Sequence, residues 1–395
     1  MIVLHFYATG PGQELAWWLG EERKEEVVLI EHPFPFAPRK VAVVQEWSGG
    51  KTMKRWELGR GGWPLFVRYG LDFVRTLLIV LKMGGRFDLY VGNGGFDTMP
   101  GIILRWVGRV RKVVLYSIDY APYAGGTRLY AWLYRRIDQW CCYRVDRIWN
   151  LSRRMQRARV IDGLREGRSA VEVWVPHGAH VRALRARLPQ QTDCERIVFM
   201  GHVQEKSGIQ LLLEVLPRLV RRHPGVRLDI VGGGPYLPVV RARVAEEGLA
   251  ERVCIHGYVE DHRKVEEILM GCGIGVALYR PDPTDFSVYA DPGKPKVYLA
   301  CGLPVVIVRI PEVAEEIERR GAGKAIRYDA EELEAALEEI MGRHGEYRAR
   351  ALAMAEDYEW GAIFERALQE TGFDKEKDGR QDEREQGQTD GGRLR

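Results

Sequence analysis

Arg196-Ile-Val-Phe-Met-Gly201, running on through His202-Val-Gln-Glu-Lys-Ser-Gly208 into an apolar helical period, is the stretch that decides the fold. A short β-branched run that ends on glycine and passes straight into a helix is one βα step. Downstream the step recurs: strands are expected at 196–200, 226–231, 252–255, 273–278, 304–308 and 324–327. Helices are expected between and after them at 207–222, 237–248, 262–271, 294–301, 311–320 and 330–341. Upstream the same alternation places strands at Ile2–Tyr7, Val27–Glu31, Val41–Gln45, Leu89–Val91, Val113–Ser117, Arg147–Leu151 and Val171–Val175. Helices there are expected at 13–22, 64–83, 98–109, 126–144, 152–161 and 179–187. Alternation of this kind makes mostly parallel sheets covered by helices. The fold class predicted is α/β, with two doubly wound Rossmann-like domains facing a cleft. Residues 1–187 form the first, 188–195 a polar, proline-marked linker, and 196–344 the second. The helical stretches 345–356 and 361–371 lie in a segment spanning 345–372, and a charged, Gln- and Gly-rich tail at 373–395 is expected to be disordered.

Composition narrows the function. The chain has 395 residues, 46% of them apolar, enough for two real cores. Apolar runs such as Leu77 to Leu81 are far short of a membrane span, and the amino terminus carries no secretory signature. Six cysteines without a CxxC pair suit reduced thiols in the cytosol. The net charge of +4 conceals an imbalance, because residues 1–190 hold 30 Lys and Arg against 17 Asp and Glu. The front half therefore faces something anionic. Within it, residues 51–86 interleave Lys51, Lys54, Arg55, Arg60, Arg68, Arg75, Lys82 and Arg86 with Trp56, Trp63, Phe66, Tyr69 and Phe73. That mixture fits either an anionic membrane interface or a core helix with a solvated basic face. His5 and His32 read as structural.

Three segments of the rear half carry chemistry. Asp229-Ile-Val-Gly-Gly-Gly-Pro235 ends a strand in glycines, which either let backbone amides approach a phosphate or serve a tight turn. Lys206 is placed ahead of a helix, beside that helix's positive end, an arrangement that an anion would relieve and solvent would tolerate. Lys294 and Lys296 repeat the arrangement in the loop-to-helix segment Tyr289 to Val306. Three lysines at neighbouring helix starts point to one shared polyanion.

These segments together resemble the donor domain of GT-B glycosyltransferases of family 4, on Gly201-x-x-x-x-Lys206-x-Gly208, Ile230-Val-Gly-Gly-Gly-Pro235, His256-Gly-Tyr-Val259 and Tyr298-Leu-Ala-Cys-Gly-Leu-Pro-Val-Val306. The front half adds Ser117-Ile-Asp-Tyr-Ala-Pro122, Val145-Asp-Arg-Ile-Trp-Asn-Leu-Ser152 and Val175-Pro-His-Gly178 in the order such enzymes use. The resemblance implies transfer of a sugar from a nucleotide-sugar to a glycan or lipid-linked acceptor, with retention, in cell-surface polysaccharide or glycolipid synthesis. It implies no metal and no cofactor; the basic, aromatic front half adds an anionic membrane surface as a candidate further partner, with no nucleic-acid partner and a cytoplasmic location, either free or peripheral to the inner face of the membrane. It also implies that the terminal helix crosses back to the first domain.

For the donor, the resemblance implies a diphosphate held by amides near Gly12 and Gly234 and by Lys206, with the base near Gly257, Tyr258 and Val259. Gly233, His202, Lys294 and Val297 complete that expected set. Two positions depart from the family: Val297 stands where a glutamate is usual, with Tyr289 eight positions earlier, and His202 stands where arginine is common. Asp291 is the nearest carboxylate and either contacts the donor or caps its loop. In the front half Asp119 either orients or deprotonates an acceptor hydroxyl or caps the turn before Pro122. Asn93, Gly94 and Tyr120 are expected beside it on the acceptor side. The departures leave open a transferase-like protein that binds a nucleotide or glycan without transferring sugar, and the fold also hosts nucleotide-sugar epimerases.

Overall fold

The computed structural model describes residues 1–6, 10–34, 41–60, 65–121, 127–282 and 288–373. It divides into two compact units, one made of Met1–Pro176 and the chain from Gly361 onward, the other of His177–Trp360.

The first unit holds strands β1 (Ile2–Phe6), β2 (Val27–Pro33), β3 (Val41–Ser48), β4 (Lys51–Arg60), β5 (Phe87–Asn93), β6 (Val110–Ser117), β7 (Arg147–Asn150) and β8 (Glu172–Trp174). They form one sheet in the order β4-β3-β2-β1-β5-β6-β7-β8. Its helices are α1 (Pro11–Trp17), continued by a π-helical turn at Trp18–Glu22, then α2 (Leu65–Met83), α3 (Gly95–Trp106), α4 (Arg128–Cys142) and α5 (Arg154–Ile161). From β2 to β8 the neighbouring strands are parallel, and β6 is buried along nearly its whole length, as a sheet covered on both faces requires.

The β3–β4 hairpin is antiparallel and makes residues 51–60 a strand, which the sequence pattern did not predict. Lys51-Thr-Met-Lys-Arg-Trp-Glu-Leu-Gly-Arg60 has no apolar run because it is an edge strand, where charged side chains discourage pairing with another chain. The basic face expected over 51–86 is also interrupted. Arg68 is buried beside Asp72 at 3.8 Å, and Tyr69 stacks on Phe96 with ring centroids 4.4 Å apart. Arg75 pairs with the same Asp72 at 3.2 Å. Trp63 lies outside the described residues, as do the side chains of Arg60 and Phe66.

The second unit opens with α6 (Val181–Arg185) and then alternates strictly: β9 (Asp193–Met200), α7 (Ile209–Arg222), β10 (Arg227–Val231), α8 (Leu237–Glu246), β11 (Val253–Gly257), α9 (His262–Met270) and β12 (Cys272–Ala277). It continues with α10 (Gly293–Ala300), β13 (Val305–Val308), α11 (Val313–Arg319), β14 (Gly323–Ile326), α12 (Ala330–Gly342) and α13 (His344–Ala355). The sheet order is β11-β10-β9-β12-β13-β14, parallel throughout. Successive side chains point to opposite faces, so Ile197, Phe199, Val306 and Val308 enter one core while Val198, Val305 and Ile307 enter the other.

The terminal segment divides. Helix α13 packs within the second unit, where Tyr347, Ala351 and Met354 join its cores. The last helix, α14 (Trp360–Glu370), packs in the first: Phe364 meets Trp18 with ring centroids 5.7 Å apart, and the Trp149 indole donates to Thr371 Oγ1 at 3.0 Å. The division therefore falls at Pro176/His177 and Trp360/Gly361 rather than at 188–195 and 344/345. Leu188 already packs against the second unit's core, and β9 begins at Asp193. Of the tail expected at 373–395, only Phe373 is described. Among the described residues no helix is long and apolar enough to cross a membrane.

Candidate functional site

Open parallel sheets bind ligands at the carboxyl ends of strands where the strand order reverses. In the second unit that point lies between β9 and β12. Three loops meet there. After β9, Gly201 N–H donates to Val231 O at 2.8 Å and Val203 N–H to Gly233 O at 2.9 Å. After β10, Gly232 N–H donates to Gly257 O at 2.8 Å, which ties in the loop after β11. Gly234, at φ +156°, lies so close to Val203 O that any Cβ would collide with it. The segments around Gly201, Gly233, Gly234, Gly257 and Tyr258 thus form one surface. Tyr258 projects from it with 80% of its area exposed, while Val259 and Val297 pack against the apolar core beneath. Val297, where the resemblance leads one to expect a glutamate, lies on a face of α10 that rests on hydrophobic side chains.

The lysines separate into different roles. Lys294, in the first turn of α10, lays its ammonium against Gly201 and 5.9 Å from the Phe199 ring centroid. Burial lowers its pKa to about 8, and no carboxylate pairs with it among the described residues. Lys206 stands exposed in a 3-10 turn, Glu205–Ser207, within the same β9 loop and just before α7. His202 is exposed beside Gly201. Lys296 departs from the shared-polyanion expectation: fully buried, it forms an ion pair with Asp291 and donates to Pro292 O at 3.0 Å. Asp291 in turn accepts from His177 N–H at 2.7 Å through its other oxygen. Both Asp291 oxygens are therefore engaged inside the unit, anchoring the start of α10.

Asp229, Cys254 and His256 bring potential metal-ligand atoms within 4.8 Å of one another. Arg196 donates to both Asp229 oxygens, at 2.6 and 2.8 Å, and His256 Nε2 lies 2.7 Å from one of them. These partners, against the opposing effect of burial, keep the Asp229 pKa low, and the carboxylate serves as an internal ion pair.

In the first unit the order reverses between β1 and β5. Gly12, buried in the first turn of α1, packs against the Asn93 side chain and Leu4. The Asn93 side-chain oxygen, Oδ1, is buried without a hydrogen bond among the described residues. Gly94 N–H donates to Tyr116 O at 2.9 Å. Beside them lies a network the sequence did not disclose. His5 Nδ1 is 2.7 Å from Asp97 Oδ1, His5 Nε2 is 3.5 Å from Asp72, and His32 Nδ1 is 3.5 Å from the same Asp72. Burial pulls the His5 pKa down, but the two carboxylates outweigh it and raise it to about 9. Burial and the His5 charge press His32 down to about 4. Residues 5, 32, 72 and 97 share no motif; the one linear hint is that His5 and His32 occupy paired positions on adjacent strands.

Asp119, beyond β6, is exposed, yet the protein crowded around it raises its carboxyl pKa. Its carbonyl accepts from the Tyr134 hydroxyl at 3.3 Å. Tyr120 is buried, donating to Asp162 at 2.7 Å with its ring 5.3 Å from the Arg159 guanidinium. Pro122 lies outside the described residues.

Residues 194–343 match the family model described as glycosyl transferases group 1. A GDP-mannose-dependent alpha-(1-6)-phosphatidylinositol monomannoside mannosyltransferase of Mycolicibacterium smegmatis is 31% identical over 131 residues, 32% of this chain and 33% of that protein. A phosphatidylinositol N-acetylglucosaminyltransferase component of Arabidopsis thaliana is 29% identical over 27% of this chain and 24% of its own length. The matched stretch thus spans a third or less of either relative. Among solved structures, sucrose-phosphate synthase from Thermosynechococcus elongatus superposes with a TM-score of 0.67 at 16% identity, covering 93% of this chain and 97% of that one. Anabaena HepE in complex with UDP gives 0.65 at 14% identity, covering 94% and 99%. The chain therefore has the GT-B fold, and its residues 194–343 are similar to the glycosyl transferases group 1.

Proposed function

We propose that the protein transfers a sugar from a nucleotide-sugar to a glycan or lipid-linked acceptor, with retention and without a metal, in cell-surface polysaccharide or glycolipid synthesis at the cytoplasmic face of the membrane. The observation that carries the donor half is Lys294: a half-buried cation, without a described carboxylate partner, set against the glycine loop at the sheet's reversal point. Burying a charge without a counter-charge is costly, and a diphosphate on the amides of the Gly201 and Gly233–Gly234 loops supplies that counter-charge. As the sugar leaves, negative charge builds on the departing diphosphate, where Lys294 and the exposed Lys206 stabilise it. Tyr258 offers an exposed ring near the base. Asp119 orients the acceptor hydroxyl, and Asp291 acts as a positioning residue through α10.

Relatives named for phosphatidylinositol substrates support a lipid-linked acceptor. So does α2, on which Val67, Val74, Leu78 and Leu81 form an exposed apolar stripe with Lys82 alongside, the composition of an interfacial helix. Val297 and the fully engaged Asp291 favour one second reading, a protein that binds the nucleotide without transferring sugar.

Calorimetry with UDP-, GDP- and TDP-sugars, followed by product mass with extracted lipid acceptors, tests both. Binding with a sugar-extended product supports transfer, binding without product supports the second reading, and no binding at millimolar donor removes both.

A further inference from the structure

Residues 128–168 contain 11 arginines and no lysine against four acids, a denser positive charge than that of residues 51–86. The fold gathers much of it on one side of α4. A half-open groove of about 630 Å³ is lined by Thr127, Arg128, Trp132, Arg135, Arg136 and Asp162 among others. A second, of about 580 Å³, is lined by Arg136, Tyr143, Arg144, Arg165 and Arg168 among others, and shares Arg136 and Gln139 with the first. The two make one trough. It follows α4 from the end beyond β6 down to the start of β7, a helix of 15 residues and so about 22 Å long.

Arg128, Arg136, Arg144, Arg165 and Arg168 are all exposed, and among the described residues none pairs with a carboxylate. The trough's acid, Asp162, is already held by the Tyr120 hydroxyl at 2.7 Å and by Arg135 at 3.5 Å. Crowded like charges repel, and nothing described in the trough offsets them. Trp132 is 56% exposed at the upper end, with the Arg136 guanidinium 5.9 Å from its ring centroid. That end adjoins Tyr120 through Asp162, and Tyr134, also on α4, holds the Asp119 carbonyl.

We infer that this trough binds an extended anionic glycan, a chain bearing carboxylate or phosphate groups, as the body of the acceptor whose end reaches Asp119. The inference deepens the transferase reading and rests on it for the word acceptor. Guanidinium groups match carboxylate and phosphate in two-pronged fashion, where lysines would act as point charges. An exposed indole supplies the flat apolar face that a sugar ring covers. A membrane is the weaker occupant because the feature is concave and narrow, while the exposed apolar stripe lies on a different helix, α2.

The test is fluorescence anisotropy on the full chain with a labelled oligogalacturonate, a neutral malto-oligosaccharide of equal length, and vesicles of phosphatidylglycerol in phosphatidylcholine. The expected result is selective binding of the acidic oligosaccharide, weakening as salt rises. A variant combining Arg136→Ala, Arg144→Ala and Arg168→Ala should lose roughly tenfold or more in affinity, the scale of charge-assisted contacts. These side chains are exposed, and an unchanged melting temperature would show that the fold is kept. Lys294→Met should leave oligosaccharide binding unchanged while weakening nucleotide binding. Equal affinity for acidic and neutral chains, no loss in the triple variant, or binding of vesicles alone would overturn the inference. Acidic-chain binding without any nucleotide binding would leave the trough standing and remove the transferase reading.

Discussion

At the scale of single residues, Lys294 and Lys296 sit two positions apart in one helical turn, yet among the described residues Lys296 alone of the two pairs with a carboxylate. Lys294 holds its charge below about pH 8 and loses it above. An anion favours the charged form, so nucleoside-diphosphate affinity should be greatest below that value and weaken as pH rises through it. Calorimetry between pH 7 and 9.5 checks this, and Lys294→Met should bind roughly ten- to a hundredfold more weakly with the slope gone, as loss of one charged contact implies. Because its folded pKa lies below the unfolded one, near 10.5, the unliganded protein pays for holding Lys294 charged at neutral pH. The same Lys294→Met substitution should therefore raise Tm at pH 7, and a lowered Tm would show the side chain to be structural. Lys296 is the reverse case. Removing it strands the Asp291 carboxylate in the interior, so Lys296→Met should cost about 3–5 kcal/mol in urea unfolding. Adding Asp291→Asn should recover much of that.

At the scale of elements, the β9 loop is fixed to its neighbour by a glycine. Gly208, at φ +75°, ends the 3-10 turn and lies against Leu278 O just past β12, where any Cβ would overlap the carbonyl. Gly208→Ala should thus displace the loop carrying Lys206, costing about 1–3 kcal/mol of stability, and weaken nucleotide binding although residue 208 need not touch the ligand. Chemical denaturation and calorimetry on the same variant separate the two effects. Elements of this kind were legible in the sequence, because a strand that ends in glycine before an apolar helical period leaves a local trace; all six strands of the second unit fall within two or three residues of expectation. Strand β4 was not legible. Trp56 and Leu58 pack against the core, but the charged side chains around them leave Lys51–Arg60 without the apolar run that marks its neighbours. The site followed the same rule. Glycines and Lys294 announced themselves by position, whereas the His5–Asp97–Asp72–His32 network is assembled from residues dispersed along the chain, and the α4 trough, though its arginines are close in sequence, needed the fold to show which of them face one groove.

At the scale of the whole molecule, the second unit interrupts the first: the chain leaves the front sheet after Pro176 and returns only at Gly361. The returning α14 is therefore part of the front unit's structure. Its Phe364 meets Trp18, Glu365 accepts from Arg23 at 2.7 Å, and Lys112 donates to Gly372 O at 2.9 Å. Phe364 is fully buried, as are Ala367 and Leu368, and full burial of an apolar side chain is worth about 1.5–3 kcal/mol. Cutting the chain after Trp360 removes all three and leaves Trp18, at present 5% exposed, without that cover. The expected outcome is a large loss of stability confined to the unit built on residues 1–176, visible as an early transition in thermal melting and as faster amide exchange in β1 and β5. The second unit should melt as before and still bind nucleotide through Lys294, because every bond around that lysine lies within His177–Trp360. If the truncated chain instead lost nucleotide binding while its second unit stayed folded, the donor site would need the front unit, and the assignment of that site to the rear unit alone would fail.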